Sequence, residues 1–451
     1  MEIIIPADAD CIIDTLESGG YEAYVVGGCV RDALLHKTPD DWDICTSALP
    51  EQTMKIFEGR HIIETGLKHG TVTLMMKRQP FEITTYRVDG KYRDNRRPEQ
   101  VKFVNVLKRD LARRDFTINA MAYNPKTGLA DYYGGQQDLA AKIIKCVGNP
   151  DKRFKEDALR IMRAMRFAAV FGFTIETATS RSMYDNKTLL HNISKERIAA
   201  ELNKMIVGDG VKDIVSEHIG VFAEIIPEFL PAAGFKQNNP HHCYDVLEHI
   251  LHSVAAAPKD VVIRLAMLFH DIGKPLCYTE PGDGKGHFHG HQQISSDMSR
   301  EILSRLKYDN ATIGAVKDLV LYHDANITPE YKYVKRWLNK IGEDTFGKLL
   351  EVKRADAMAQ SEKSRQDKLN ALDEISAMTD EIIEQRQCFS LKDLKINGAD
   401  LIGININEGK TIGEILKQLL NLVIDGQIEN KKILLLETAK KLEEQIKKDL
   451  T

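Results

Sequence analysis

An apolar run, Ala23–Val26, breaks at Gly27-Gly28-Cys29-Val30-Arg31-Asp32, and a helix-like stretch over residues 31–35 follows. Apolar strand, glycine turn and helix start in that order commit the N-terminal region to a mixed α/β arrangement. Such a turn also presents bare backbone N–H groups to an anion. Shortly after it, Asp41-Trp42-Asp43-Ile44 places two carboxylates at i and i+2 of a β-like segment, where alternate side chains share a face. Two acids on one face can hold hard divalent cations, and such cations beside a phosphate-binding turn are what phosphoryl or nucleotidyl transfer needs. Either half alone is a common surface feature. Their order and close spacing carry the reading.

The 451 residues exceed one ordinary core and, at about 150 residues per domain, predict roughly three domains. Residues 1–140 read as strands and helices mixed, with β-like runs at 24–26, 43–45, 70–76, 81–86 and 101–104. After Asn149-Pro150 the apolar spacing turns helical, as in Leu159, Met162, Met165 and Phe167. Connections are expected at Gly208-Asp209-Gly210, at 231–240 and at the glycine-rich 280–290, and a Lys-rich terminal helix from about 428. Net charge is only −4, but residues 77–114 hold twelve Lys/Arg against five Asp/Glu. That strip fits a nucleotide or nucleic-acid groove, or equally a solvated loop. Seven scattered cysteines with no C-x-x-C pair exclude a zinc-ribbon pattern and suggest reduced thiols. With neither a signal-like N-terminus nor a run long enough to span a membrane, a cytoplasmic protein without a membrane partner is expected.

A third acid should accompany the D-x-D pair, and Glu82, on the alternating strand Phe81-Glu82-Ile83-Thr84-Thr85, is the candidate. Arg113-Arg114-Asp115-Phe116-Thr117-Ile118-Asn119-Ala120-Met121 joins two arginines, suited to bidentate contact with phosphates, to what reads as a helix start. In Glu156-Asp157-Ala158-Leu159-Arg160, continued by Arg163 and Arg166, helical spacing puts Asp157 and the three arginines on one ridge. An Asp beside an Arg offers an acceptor next to a donor, the complement of a base edge. Three stacked arginines with one acid should repel unless an anion, such as a nucleotide, lies nearby. Further on, His270-Asp271 ends the apolar stretch 261–269, with His249 upstream and His291, His323 and Asp356 downstream, a set suited to metal ligation.

Taken together, the Gly-Gly-x-x-Arg-Asp turn, D-x-D, RRDFTINAM and E-D-x-x-R-x-x-R segments resemble the class II tRNA nucleotidyltransferases, the CCA-adding enzymes, and their bacterial poly(A) polymerase relatives. The resemblance covers roughly residues 20–205. It implies an α+β chain: a polymerase-β-like head over 1–140, a helical neck over 141–210, a helical body over 211–380 and a helical tail over 381–451. Asp41 and Asp43 would bind Mg2+, with Glu82 beside them. Gly28, Arg31 and Arg113 would contact the triphosphate. Asp157, Arg160, Arg163 and Arg166 would read or hold CTP or ATP, and the acceptor arm of tRNA would be the partner. The retained loop 89–97 implies that A can be added. Products left open are full CCA, the final A alone, or poly(A), although the long basic C-terminus usual in poly(A) polymerases is missing. The histidine set is similar to HD phosphohydrolase domains, about 240–360. His249, His270, Asp271 and Asp356 stand in the single-metal positions; His291 and His323 would complete a dinuclear site for a divalent metal of unknown identity, with His287 and His289 competing for the place of His291. Different-class readings are a metal-dependent hydrolase whose head merely delivers RNA, and a non-catalytic RNA-binding protein. Three clustered acids, Asp41, Asp43 and Glu82, speak against both.

Overall fold

The computed structural model describes residues 3–449 except 65, 91, 94–96, 99, 239–243, 281, 283–285 and 407–408. These residues form two compact units, Met1–Leu230 with Arg305–Tyr308, and Pro231–Ser304 with Asp309–Thr451.

The first unit is built on a seven-stranded sheet. Its strands are β1 (Ala23–Val26), β2 (Ile44–Thr46), β3 (Ile62–Ile63), β4 (Thr71–Met76), β5 (Gln79–Thr85), β6 (Met121–Asn124) and β7 (Gly128–Asp131), in the order β7-β6-β1-β2-β5-β4-β3. Strand β1 pairs antiparallel with β2 and with β6, whereas β2 and β5 run parallel with Ile44 opposite Ile83. Alternation decides which face is buried: in β4, Val72, Leu74 and Met76 point into the core while Thr71, Thr73 and Met75 are only partly covered. The predicted strands at 24–26, 43–45, 70–76, 81–86 and 101–104 are all present within a residue or two. Residues 117–121 do not start a helix. A single 3-10 turn, Thr117–Asn119, leads straight into β6, which is buried at every position and takes up the β1 edge.

Helix α1 (Gly28–Leu34) leaves the glycine turn, and helix α2 (Leu159–Phe171) packs on α3 (Lys195–Ile206). The predicted single ridge from Asp157 to Arg166 is interrupted. Helix Pro150–Glu156 ends at Asp157, whose backbone is extended (φ −138°, ψ 104°), and α2 begins only at Leu159. The Asp157 carboxylate accepts the Leu159 N–H at 3.1 Å, a local bond that competes with helix continuation.

The second unit is helical. It includes α4 (Val246–Ala256), α5 (Val261–Phe269), α6 (His291–Arg305), α7 (Asn310–Tyr322) and α8 (Glu343–Met358). Aspartates cap three of these helices: Asp245, Asp260 and Asp309 accept the N–H groups of Glu248, Ile263 and Thr312 at 2.7–2.9 Å. A separate apolar cluster, including Leu401, Ile415, Leu419 and Leu435, forms a core within the C-terminal stretch, which ends in the helix Lys432–Asp449. Part of the loop 89–97, residues 91 and 94–96, lies outside the described residues, as do parts of the predicted connections 231–240 and 280–290, namely residues 239–240, 281 and 283–285. No helix among the described residues is long and apolar enough to cross a membrane.

Candidate functional site

At the end of β1, Gly27 takes φ +85°, a conformation that L side chains rarely adopt, and a Cβ there would lie 2.6 Å from Arg114 Nη1. The Gly27 N–H is already given to the Met121 carbonyl at 3.0 Å, so the N–H groups open to an anion begin after it. Beside this turn, Asp43 precedes β2 by one residue and Glu82 occupies the equivalent place on the parallel neighbour β5, one residue before the paired Ile44 and Ile83. Asp41 lies two residues further back. Burial and Asp41 push the Asp43 carboxyl up to about 6 against the pull of Arg114, and Glu82 adds to the rise. The three acids therefore share one field, and a cation would relieve it. Asp41 and Glu82 are exposed and Asp43 half-buried, and the three do not close into a group with ligand atoms within 4.8 Å of one another.

The sequence singled out Arg113 of the arginine pair. Arg114 is the one that stands against Gly27 and acts on Asp43, and the signal for it was only its neighbour. Both arginines are anchored by Asp110, a fully buried acid 2.9 Å from Arg113 Nε and 3.6 Å from Arg114 Nη2. Arg31 is buried, donates to both Asp32 oxygens and to Asn119 Oδ1 at 2.6–2.8 Å, and lies over the rings of Phe167 and Phe171.

On α2 the expectation that the arginines require an outside anion is corrected by the protein's own acids. Arg160 donates to Glu156 at 3.0 Å and to the carbonyls of Arg153 and Arg113 at 3.1 and 2.8 Å. Arg163 pairs with Asp115 at 2.6 Å and Arg166 with Glu201 at 2.6 Å. Burial alone would raise Asp115, but Arg163 and a bond from Asn119 hold its carboxyl well below the usual range. Asp157, with one oxygen on Leu159 N–H, gives the other to Arg197 at 3.0 Å. A buried or half-buried guanidinium is stable only when paired, and Asp115, Glu156 and Glu201 are those partners. Spacing along one helix could not reveal Asp115 or Glu201, which come from other elements.

In the second unit, His249 on α4, His270 and Asp271 after α5, His291 at the start of α6, His323 after α7 and Asp356 on α8 converge. Two overlapping groups, His249–His270–Asp271 and Asp271–His291–His323, have ligand atoms within 4.8 Å of one another. Asp271 spans both, its Oδ2 lying 3.3 Å from His249 and His270 Nε2 and its Oδ1 lying 3.3 Å from His291 Nε2. Asp356 Oδ1 stands 3.1 Å from His249 Nε2 and 3.8 Å from His270 Nε2. Each imidazole has its Nδ1 on a backbone carbonyl: His249 on Ala359, His270 on Met267, His291 on Phe288 and His323 on Val320, at 2.7–3.3 Å. That arrangement places a proton on each Nδ1 and turns the four Nε2 atoms inward, as metal-binding histidines are held. The Nε2 atoms of His249 and His270, and those of His291 and His323, stand 3.2–3.3 Å apart. Against its burial, Asp271 and Asp356 push the His249 imidazole up to about 9, and the buried Asp271 Oδ1 receives no hydrogen bond. The two groups share Asp271, and imidazole nitrogens with carboxylate oxygens are a donor set that a divalent ion would fit. Of the three histidines weighed for that place, His291 is the one with a ligand atom within 4.8 Å of those of Asp271 and His323, while His287 and His289 stack on each other (ring centroids 5.6 Å) in the wall of the adjoining cavity.

Comparison with known proteins follows this division. The Poly A polymerase head domain matches residues 23–145, the RNA and SrmB- binding site of polymerase A matches 172–232, and tRNA nucleotidyltransferase domain 2 matches 288–439. The chain is similar to the CCA-adding enzymes of Lactiplantibacillus plantarum (32% identical over 445 residues, 97% of each chain) and Enterococcus faecalis (33% over 435 residues, 96% of this chain and 95% of that one). To that of Limosilactobacillus reuteri it is 46% identical over 209 residues, 46% of this chain and 51% of that one, so this match spans about half the length of the relative. Among solved structures it is similar to the Bacillus stearothermophilus CCA-adding enzyme in complex with CTP, at TM-score 0.71 and 28% identity, covering 98% of this chain and 100% of that one. It shares its fold with the Thermotoga maritima CCA-adding enzyme complexed with tRNA, at TM-score 0.60 and 20% identity, covering 98% and 97%.

Proposed function

The chain belongs to the CCA-adding enzyme family, and we propose that it adds CCA to the 3′ ends of tRNA from CTP and ATP in its head and neck. The observation that supports this reading is that Asp41 and Glu82 both act on Asp43, and that Arg114, which also acts on Asp43, lies against Gly27 of the glycine turn. In it, Asp41 and Asp43 hold Mg2+ and Glu82 supports them. Gly28, Arg113 and Arg114 take the phosphates, and Arg31 joins them by exchanging its Asn119 bond. Asp157 and Arg160 face the base once Arg197 and Glu156 release them. Arg163 and Arg166, fixed by Asp115 and Glu201, keep α2 in place.

The RNA 3′ oxygen attacks the α-phosphorus, the bond to the β-phosphate oxygen breaks, pyrophosphate leaves, and the hydroxyl proton passes to solvent. Divalent ions, when bound, lower the pKa of that hydroxyl and offset charge on the leaving group. Asp41→Ala is expected to abolish incorporation into tRNA lacking its 3′ end while tRNA binding stays near normal. Retained incorporation contradicts the assignment. Asp157→Ala with Arg160→Ala is expected to blur the choice between CTP and ATP more than it weakens triphosphate binding.

A second, separate activity is favoured by the inward-turned imidazoles. We infer a metal-dependent phosphohydrolase centre at His249, His270, Asp271 and Asp356, extended by His291 and His323. His270→Ala should remove metal and hydrolysis and leave nucleotide addition intact; an equal fall in addition would make this region a structural support.

A further inference from the structure

Asp157 and Arg160, an acceptor beside a donor, suit a base that carries an exocyclic amine next to a ring nitrogen. Cytosine, with N4 and N3, and adenine, with N6 and N1, present that same pair, whereas uracil and guanine present the reverse. The pair alone therefore does not separate CTP from ATP. The choice falls to the flanking atoms of a base that Asp157 and Arg160 hold in register. Past the ring nitrogen, cytosine has the acceptor O2 where adenine has C–H. Past the amine, adenine has the acceptor N7 where cytosine has C–H. A donor on the amine side selects adenine.

Arg197, on α3, is a donor beside Asp157. Its Nη2 donates to Asp157 Oδ2 at 3.0 Å, and Nη1 of the same partly buried guanidinium is covered by protein and makes no hydrogen bond. Arg160 comes from α2 and gives its N–H groups to Glu156 and to the carbonyls of Arg153 and Arg113. The two guanidiniums share no acceptor and reach the reading site from different helices. Asp157 Oδ1 is held by the Leu159 N–H, which leaves Oδ2 for the amine of a base. Taking Oδ2 strips Arg197 of its carboxylate, and a guanidinium withdrawn from water is costly to leave unpaired.

Resting on the CCA-adding reading above, we infer that Arg197 is a specificity-determining residue that selects ATP for the last addition. As the adenine amine takes Asp157 Oδ2, the freed guanidinium donates to N7, on the side of the amine away from Arg160. ATP thus returns to Arg197 the acceptor that it removes. With CTP the same N–H groups face C–H, and the exchange gains nothing.

The test replaces one atom of the nucleotide. Single additions by the full chain are followed with CTP on tRNA ending in C, and with ATP or 7-deaza-ATP, in which C–H replaces N7, on tRNA ending in CC. The unsubstituted protein should use ATP roughly tenfold better in kcat/KM than 7-deaza-ATP, the worth of one hydrogen bond to a charged donor. Arg197→Met keeps the stem and removes every donor. It should use ATP and 7-deaza-ATP alike, and should lower the ATP step roughly tenfold more than the CTP step. A residue that only steadied Asp157 would slow both steps by the same factor and leave the preference for N7 in place. Equal use of ATP and 7-deaza-ATP by the unsubstituted protein, which depends on no variant folding, overturns the inference alone, as does an N7 preference that survives Arg197→Met. No extension of either tRNA by the unsubstituted protein overturns the CCA-adding reading and the inference with it.

Discussion

Asp115 shows how much one buried acid can organise. It accepts from Arg163, Asn119 and the Phe116 N–H, and so ties the RRDFTINAM segment to α2. Asp115→Asn should destabilise the protein by about 3 kcal/mol, the lower end for a broken buried pair because Arg163 keeps a third of its surface in water. Its folded pKa lies below the unfolded value of about 3.9, so on acidification the unfolded chain takes the proton first. The stabilisation is complete above about pH 4 and is lost below it. Denaturant titrations across pH should find the acid limb of stability flatter in Asp115→Asn than in the parent. At the turn, Gly27→Ala forces an L side chain to φ +85° and against Arg114. A loss of about 1–3 kcal/mol with impaired incorporation is expected, whereas a Cβ at Gly28 meets the Arg31 guanidinium at 3.6 and 4.0 Å and should be tolerated sterically.

Among the elements, α4 gives a clean test of how a helix delivers a ligand. Asp245 and Glu248 form a reciprocal cap, and His249 follows one residue later. Asp245→Ala should cost about 1 kcal/mol and weaken metal binding, measured by calorimetric titration, without slowing nucleotide addition. Strands were readable because alternation and bounding turns are local: Ala23–Val26 and Thr71–Met76 follow from their own residues. The break at Asp157 was not, because helical spacing continues across it and a side-chain bond to Leu159 decides the matter. Likewise the strand after Thr117–Asn119 exists because β1 offers it an edge. That Asp41, Asp43 and Glu82 act on one another, and that the four histidines and two aspartates of the second unit converge, was legible, their residue types being rare in such patterns. The partners of Arg160, Arg163 and Arg166 lie partly on other elements, which no spacing rule connects.

At the scale of the molecule, the chain divides into two compact units, and the two proposed chemistries fall one in each. If the histidine centre binds metal in the folded state alone, a metal ion at about a hundred times its Kd adds roughly 2.7 kcal/mol to that unit. Calorimetry should then show one unfolding transition rising with Mn2+ and falling with a chelator while the other stays in place. The central claim, that the acids beside the glycine turn extend tRNA by a fixed CCA, is tested most directly on a sequencing gel. tRNAs ending in the discriminator base, C or CC are incubated with CTP, ATP or both. The account predicts that all three converge on a single product ending in CCA, that CTP alone stops at CC, and that Asp41→Ala extends none. Extension only of the tRNA ending in CC, an unbounded A ladder, or growth by the Asp41 variant would contradict it.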